Sequence, residues 1–317
     1  MTKDNGIFIY QFIESSKVKN ESYVKKLFDL GLIICFDLED SIKNFENIIS
    51  NSSSNLNIEV LNNIELLLKN YNVKNLGVRI NESDTEECKK DISDLSTLVN
   101  NSIHLQMFLP KANSKNNISN IVEILNFYRV TNFEIIPIIE SKNGVANISE
   151  IIKTSNYYIS KIAFGHCDYN YDLGFFPFHH QDSVEYWKWI EIIINKINED
   201  IIFINSPFLL LNDDNRFRQF LAILLGLKKN VGQITLGLRQ SSICKNYQFK
   251  QIENPYLNFN ITSSKIREYA IELITEYDKF KIPEKNFAIN PDNKKLISPQ
   301  EYLRAKELIA ANFETKN

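Results

Sequence analysis

Eight short apolar runs, separated by longer helix-forming stretches, constrain the fold of this chain more than any other feature. They fall at Ile7–Phe12, Leu32–Asp37, Leu76–Ile80, Gln106–Leu109, Ile135–Ile139, Lys161–Phe164, Ile201–Ile204 and Gln233–Leu236. Most are continuous rather than alternating, the pattern of a strand buried on both faces in a parallel sheet. The spacers, roughly 20 to 40 residues each, can hold a crossover helix and its loops. Helical patterns include Asn20–Asp29, Ile58–Asn70, Asn117–Tyr128, Ser183–Asn198 and Asp213–Leu225. Eight strands alternating with helices predict a closed α/β barrel, the (β/α)8 TIM barrel; an open doubly wound sheet is the alternative. Glycine occurs only nine times and no Gly-rich loop follows the first run, so neither a dinucleotide fingerprint nor a P-loop is present.

The rhythm stops near residue 245. Ser263–Tyr277 and Pro299–Asn312 are helical in pattern and joined by a Pro- and Asn-rich link. The chain is therefore read as a barrel over residues 1–250 and a C-terminal helical extension over 251–317 that could pack on a neighbouring subunit. Ile48–Asn57, rich in Ser and Asn, reads as an exposed loop or frayed helix end. At 44% hydrophobic and 24% charged residues the composition is globular. A net charge of −3 offers no footprint for nucleic acid. No apolar run is long enough to cross a membrane, and the N-terminus has no secretory pattern. Cysteines 35, 88, 167 and 244 lack metal-type spacing, so reduced thiols in a cytoplasmic protein are expected. Asn and Ile are heavily used, as in an A+T-rich coding sequence, and Asn is discounted as a functional signal.

A barrel carries its chemistry at the C-terminal ends of its strands. Those ends hold Asp37-Leu38-Glu39-Asp40, Arg79-Ile80-Asn81, Pro110-Lys111, Glu140 followed by Gly144, Gly165-His166-Cys167-Asp168, Asn205-Ser206-Pro207 and, after the last strand, Arg239-Gln240. Glu140 and Asp168, on consecutive strands, could share one hard divalent cation, since Mg²⁺ accepts one or two protein carboxylates and fills its other positions with water and substrate oxygens. Arg79 suits a substrate carboxylate, which a guanidinium grips bidentately. Together they fit metal-assisted chemistry on a short oxoacid through a stabilised enolate.

Five pieces occur in order: Asp37-Leu38-Glu39-Asp40-Ser41, Val78-Arg79-Ile80-Asn81, Leu109-Pro110-Lys111, Ile139-Glu140-Ser141 with Gly144-Val145, and Phe164-Gly165 through Asp168 to Asp172-Leu173-Gly174. With a fainter echo at Asn293–Pro299, they resemble the citrate lyase beta-subunit-like proteins of the HpcH/HpaI aldolase superfamily. The resemblance implies a Mg²⁺-dependent carbon–carbon lyase or aldolase on a TIM barrel, forming a homo-oligomer (trimer or hexamer) and acting on β-hydroxy acids or their CoA thioesters. Carried over residue by residue, it puts the metal on Glu140 and Asp168 and the substrate carboxylate on Arg79. Glu39 and Asp40 would stand around the ion, and Lys111 would line the mouth. Gly165, His166 and Asn205 are the further substrate-binding candidates.

The departures matter as much. Gly6-Ile7-Phe8 stands where the family usually has an Arg. Gly165-His166-Cys167-Asp168 has lost one acid of the family's Gly-x-Glu-Asp. The last strand runs into Thr235-Leu236-Gly237-Leu238-Arg239 rather than Ile-His-Pro, and Ser298 replaces a catalytic Asp. That Asp serves CoA-thioester chemistry, so pyruvate- or oxaloacetate-like binding is retained as an inference more firmly than a CoA half. Two alternatives stay open: a biosynthetic aldolase joining pyruvate or phosphoenolpyruvate to a sugar aldehyde, and a non-catalytic barrel used for binding or assembly. Several of these residues also have plainer readings. Arg79 could simply pair with Asp37 or Glu39, and His166 could point away from the mouth. Trp187 and Trp189 read as packing residues, Cys167 as inert, and His179-His180, set among Phe175–Phe178, as part of an apolar lid or contact.

Overall fold

The computed structural model describes residues 6–39, 53–99, 102–154, 157–174, 181, 183–251, 266–282, 287–292 and 296–314. Asp40, the Phe175–His180 stretch and Asn293–Lys295 lie outside them. Eight strands form a closed barrel: β1 (Ile7–Phe12), β2 (Ile33–Asp37), β3 (Asn75–Arg79), β4 (His104–Leu109), β5 (Phe133–Ile139), β6 (Lys161–Phe164), β7 (Ile202–Asn205) and β8 (Val231–Thr235). Each pairs in parallel with the next, and β8 returns to β1. The expected TIM barrel is therefore the fold, and the open sheet is set aside.

The crossovers are α1 (Glu21–Leu30), α2 (Ser53–Asn70), α3 (Glu86–Leu98), α4 (Lys115–Phe127), α5 (Lys142–Thr154), the pair α6 (His166–Asp172) and α7 (Val184–Asn195), and α8 (Asp214–Leu227); α9 (Leu238–Lys245) follows β8. Side-chain caps start several of them. Asn20 accepts the Tyr23 amide before α1, Thr85 the Cys88 amide before α3, Ser183 the Tyr186 amide before α7 and Asp213 the Arg216 amide before α8.

Alternation along the strands separates two cores. Tyr10, Cys35, Phe108, Ile136, Ile138, Ala163 and Ile204 pack with Phe8, Phe12, Ile33, Ile202 and Ile234 in the barrel interior. The other strand faces join the helices in the larger outer core. Because the side-chain period is two, a third inward position, at the strand's C-terminal end, follows Ile136 and Ile138 at Glu140. By the same count Asp37 follows Cys35 and Gly165 follows Ala163. Strand register thus delivers the candidate residues to one mouth.

The opposite mouth also carries charge. Glu134, inward on β5, pairs with Lys161 on β6 and takes a hydroxyl hydrogen bond from Ser160, and His104 Nε2 lies 3.5 Å from its carboxylate. Beyond the barrel, α10 (Ile266–Phe280) and α11 (Pro299–Glu314) flank three short antiparallel strands, β9 (Lys281–Ile282), β10 (Phe287–Ile289) and β11 (Leu296–Ile297). The link read as a plain connection thus holds a small sheet. Ala270, Leu273, Tyr277, Ala288, Ile297 and Ala305 form a core of its own there. Ser298 accepts the Glu301 amide (3.2 Å) and so caps α11, with Pro299 in its first turn.

Candidate active site

Asp37 and Arg79 are register partners on β2 and β3, so their side chains leave the barrel side by side. Arg79 Nε donates to Asp37 Oδ1 at 2.9 Å and Nη2 to Asp37 Oδ2, a two-toothed grip. Arg79 Nη1 sits 2.7 Å from Glu39 Oε2, and the Glu39 amide donates back to Asp37 Oδ1. Burial pushes the guanidinium's pKa down, but Asp37 and Glu39 more than offset it, so Arg79 stays charged. A quarter of its side-chain surface remains exposed at the mouth (25%). The pairing to Asp37 and Glu39, weighed above as the bland role, is real; it also orients the guanidinium.

Glu140 follows β5 and is buried at 6% exposure. Its Oε1 accepts the Lys111 amide at 2.5 Å, and Lys111 holds a left-handed backbone, φ 48°, to aim that amide. Beside it, Gly165 follows β6 at a point where any side chain is excluded. An added Cβ would lie 2.7 Å from Glu140 Cβ and 2.9 Å from Ile138 Cγ2, closer than non-bonded carbons approach. Glu140 therefore rests on bare backbone. Burial first, then the nearby Asp168 charge, raises its carboxyl to about 8; Glu39 adds to the rise, while the Lys111 amide and Arg79 oppose it. Asp168 lies in the first turn of α6 and is exposed. Burial, with Asp37 and Asp168, likewise raises Glu39 despite Arg79.

Glu140, Asp168, Glu39, Asp37, Arg79 and Lys111 thus form one electrostatic cluster at the mouth, with more acids than bases. Among the described residues no set of three or more His, Cys, Asp or Glu side chains is gathered as a metal cage. A magnesium ion does not require one, because water and substrate complete its shell. Hard carboxylate oxygens, one buried and one solvent-facing, with negative charge in excess, fit that ion; a dication would offset both the burial and the repulsion that raise the Glu140 carboxyl.

The remaining candidates sit elsewhere. The Lys111 ammonium pairs with Glu82 (3.1 Å), so the residue's closest link to Glu140 is through its backbone. His166 is 1% exposed, its ring edge-on to Tyr186, and burial lowers its pKa to about 3, leaving it neutral. Asn205 is buried between Tyr186 Oη (2.9 Å) and Gln233 Oε1 (3.1 Å), a brace between β7, β8 and α7. Arg239 pairs with Asp214 (2.9 Å), and burial pushes the Cys167 thiol up, consistent with an inert role. Two contributors escaped the sequence reading. Glu82 holds the Lys111 ammonium, and Asp172, quoted above only as part of a motif, ties two of the strand-end segments together.

The chain belongs to the HpcH/HpaI aldolase/citrate lyase family, whose model matches residues 19–201. It is a member of a superfamily of lyases and aldolases. Solved structures that share the fold include the following three. A Haloferax volcanii malate synthase, in a pyruvate/acetyl-CoA ternary complex, is 10% identical with a TM-score of 0.68, covering 98% of this chain and 91% of its own. The CitE protein of Mycobacterium tuberculosis, in complex with magnesium and acetoacetate, is 14% identical with a TM-score of 0.59, over 82% and 98%. RipC from Yersinia pestis is 16% identical with a TM-score of 0.54, over 76% and 96%. No curated protein matches the chain in sequence.

Proposed function

We propose that this protein is a Mg²⁺-dependent carbon–carbon lyase or aldolase acting on a short oxoacid or β-hydroxy acid. The observation that carries this reading is the placement of Glu140, a buried carboxyl at the strand-end rim held by the Lys111 amide at 2.5 Å, in one charge cluster with Asp168, Glu39 and Arg79. Glu140 and Asp168 would hold the ion. Magnesium, when bound, polarises an oxoacid carbonyl and stabilises enolate charge.

The chain's own residues supply the rest. Arg79, held from one side by Asp37 and from the other by Glu39, turns a fixed, partly exposed guanidinium charge toward the substrate carboxylate. Lys111 keeps Glu140 in place through its amide, and its ammonium, with Glu82, forms one wall of the mouth. Glu39 and Asp40 are assigned roles around the ion. His166 and Asn205 support the mouth by packing and hydrogen bonding behind it. Ser298 caps α11 instead of offering an acid, which favours a free oxoacid over a CoA thioester as the substrate. A cytoplasmic homo-oligomer, with the 251–317 segment packed on a neighbour, completes the reading.

Calorimetry with Mg²⁺ and proton exchange of the pyruvate methyl group, followed by NMR, test it together. The wild type should bind the ion and exchange the protons, and Glu140→Ala should lose both. A Glu140→Ala protein that behaves as the wild type overturns the assignment.

A further inference from the structure

Asp168 and Asp172 lie one turn apart on α6, at i and i+4, and so share one face of that helix. Asp172 Oδ2 accepts the backbone amide of Lys142 at 2.7 Å. Lys142 is the first residue of α5, two positions after Glu140, and its amide is one that no intrahelical carbonyl can satisfy. A carboxylate at a helix N-terminus is also favoured by the helix dipole. This single hydrogen bond therefore ties the segment bearing Glu140 to the helix bearing Asp168.

The same C-terminal end of α6 is gripped from α11 as well. Arg304 of α11 donates through Nη2 to the Gly174 carbonyl at 2.9 Å, and its guanidinium lies over the Tyr171 ring, 5.7 Å from the centroid. Asp172, the last residue of α6, and the Arg304 contacts together fix its C-terminal turn, and Asp168, one turn earlier, is carried with the helix against the segment that follows β5.

We infer that Asp172 is a positioning residue that sets the spacing of Glu140 and Asp168 by accepting the Lys142 amide. The inference rests on the metal reading above and adds to it the residue that holds the two acids in register. Groups that orient ligands from behind contribute about 10- to 100-fold in metal affinity, and a single partly solvated hydrogen bond belongs at the low end.

The test compares Asp172→Ala with Asp172→Asn. Both remove the same charge, but the Asn amide oxygen still accepts the Lys142 N–H. Mg²⁺ affinity by calorimetry should fall about tenfold in Asp172→Ala and stay close to wild type in Asp172→Asn. Hydrogen exchange of the ion-free protein should quicken at the start of α5 in the Ala variant only. Wild-type affinity in Asp172→Ala, or equal loss in both variants, overturns the inference while leaving the metal site standing. A wild-type protein that takes up no Mg²⁺ overturns the metal reading and this inference with it; the exchange data then still report whether the tether forms.

Discussion

Replacing Gly165 by Ala probes the site at its tightest point. The new methyl would lie 2.7 Å from Glu140 Cβ and 2.9 Å from Ile138 Cγ2. The Glu140 carboxylate tip, which the methyl also meets, could swing aside, but Glu140 Cβ and Ile138 Cγ2 are anchored next to the backbone. Backbone or side chain must move, and overpacking of this kind costs about 1–3 kcal/mol, a fall of roughly 2–5 °C in melting temperature for a chain of this length. Glu140 is the group displaced, so the ion should be lost as well. A ligand at one hundred times its dissociation constant stabilises a fold by about 2.7 kcal/mol. Mg²⁺ at that excess should raise the wild-type transition by roughly 4 °C and leave Gly165→Ala where it was. Gly226, exposed in the last turn of α8 with nothing within 4 Å of an added Cβ, is the control. Gly226→Ala should raise the transition slightly, by about 0.5 kcal/mol, and keep the Mg²⁺ response. Scanning calorimetry with and without Mg²⁺ reads all of this. A Gly165→Ala protein with wild-type melting and a wild-type Mg²⁺ shift refutes the close-packed seat for Glu140.

Two further outcomes follow from charge. Glu140 has a folded-state pKa of about 8, above its ordinary value. The unfolded chain therefore sheds this proton first, and the stabilisation is complete below the ordinary carboxylate range and lost as pH rises toward 8. In a chelator, melting should decline across that window, and Glu140→Gln should flatten the decline; an unchanged slope in the variant contradicts the shift. Glu134 behaves oppositely. Burial alone would raise it, but His104, Lys161 and Ser160 bring it down to about 2, so its contribution is present above the ordinary carboxylate range and fades as pH falls toward 2. Lys161→Met should cost about 3–5 kcal/mol in denaturant unfolding, because it strands a buried carboxylate, and Glu134→Leu in the same chain should recover most of it. Full stability in Lys161→Met alone disproves the pair.

Most of the barrel was legible because its strands are apolar on both faces, and that pattern is written directly in the residues. β1 and β6 carry the bounds the sequence predicts, while β4 and β5 begin two residues earlier, at His104 and Phe133. The omitted stretches contain His104 and Glu134, polar residues that a search for apolar runs discards. Inside the barrel they pair across strands with each other and with Lys161, a compensation visible only once β4, β5 and β6 are adjacent. The small C-terminal sheet escaped for a related reason: strands of two or three residues are too short to show a period.

At the site, strand-end position located Asp37, Glu39, Arg79, Lys111, Glu140 and Asp168, since one topological rule sends all of them to one rim. Which atom of each residue acts is set by geometry that residue type does not encode. The resemblance has Lys111 line the mouth; the structure puts its amide on Glu140 and its ammonium on Glu82. Gly165 was singled out as a contact to substrate, yet its structural part is the absence of a side chain under Glu140. His166, the most conspicuous acid–base residue in the sequence, is buried and neutral. Asp172 drew no separate role, although its carboxylate accepts the Lys142 amide two residues after Glu140. The acids were readable as a set; their mutual placement depends on one strained amide, one missing Cβ and one helix cap. The first two are backbone features, so a change at Gly165 should disturb ion binding while every acidic side chain remains in the chain.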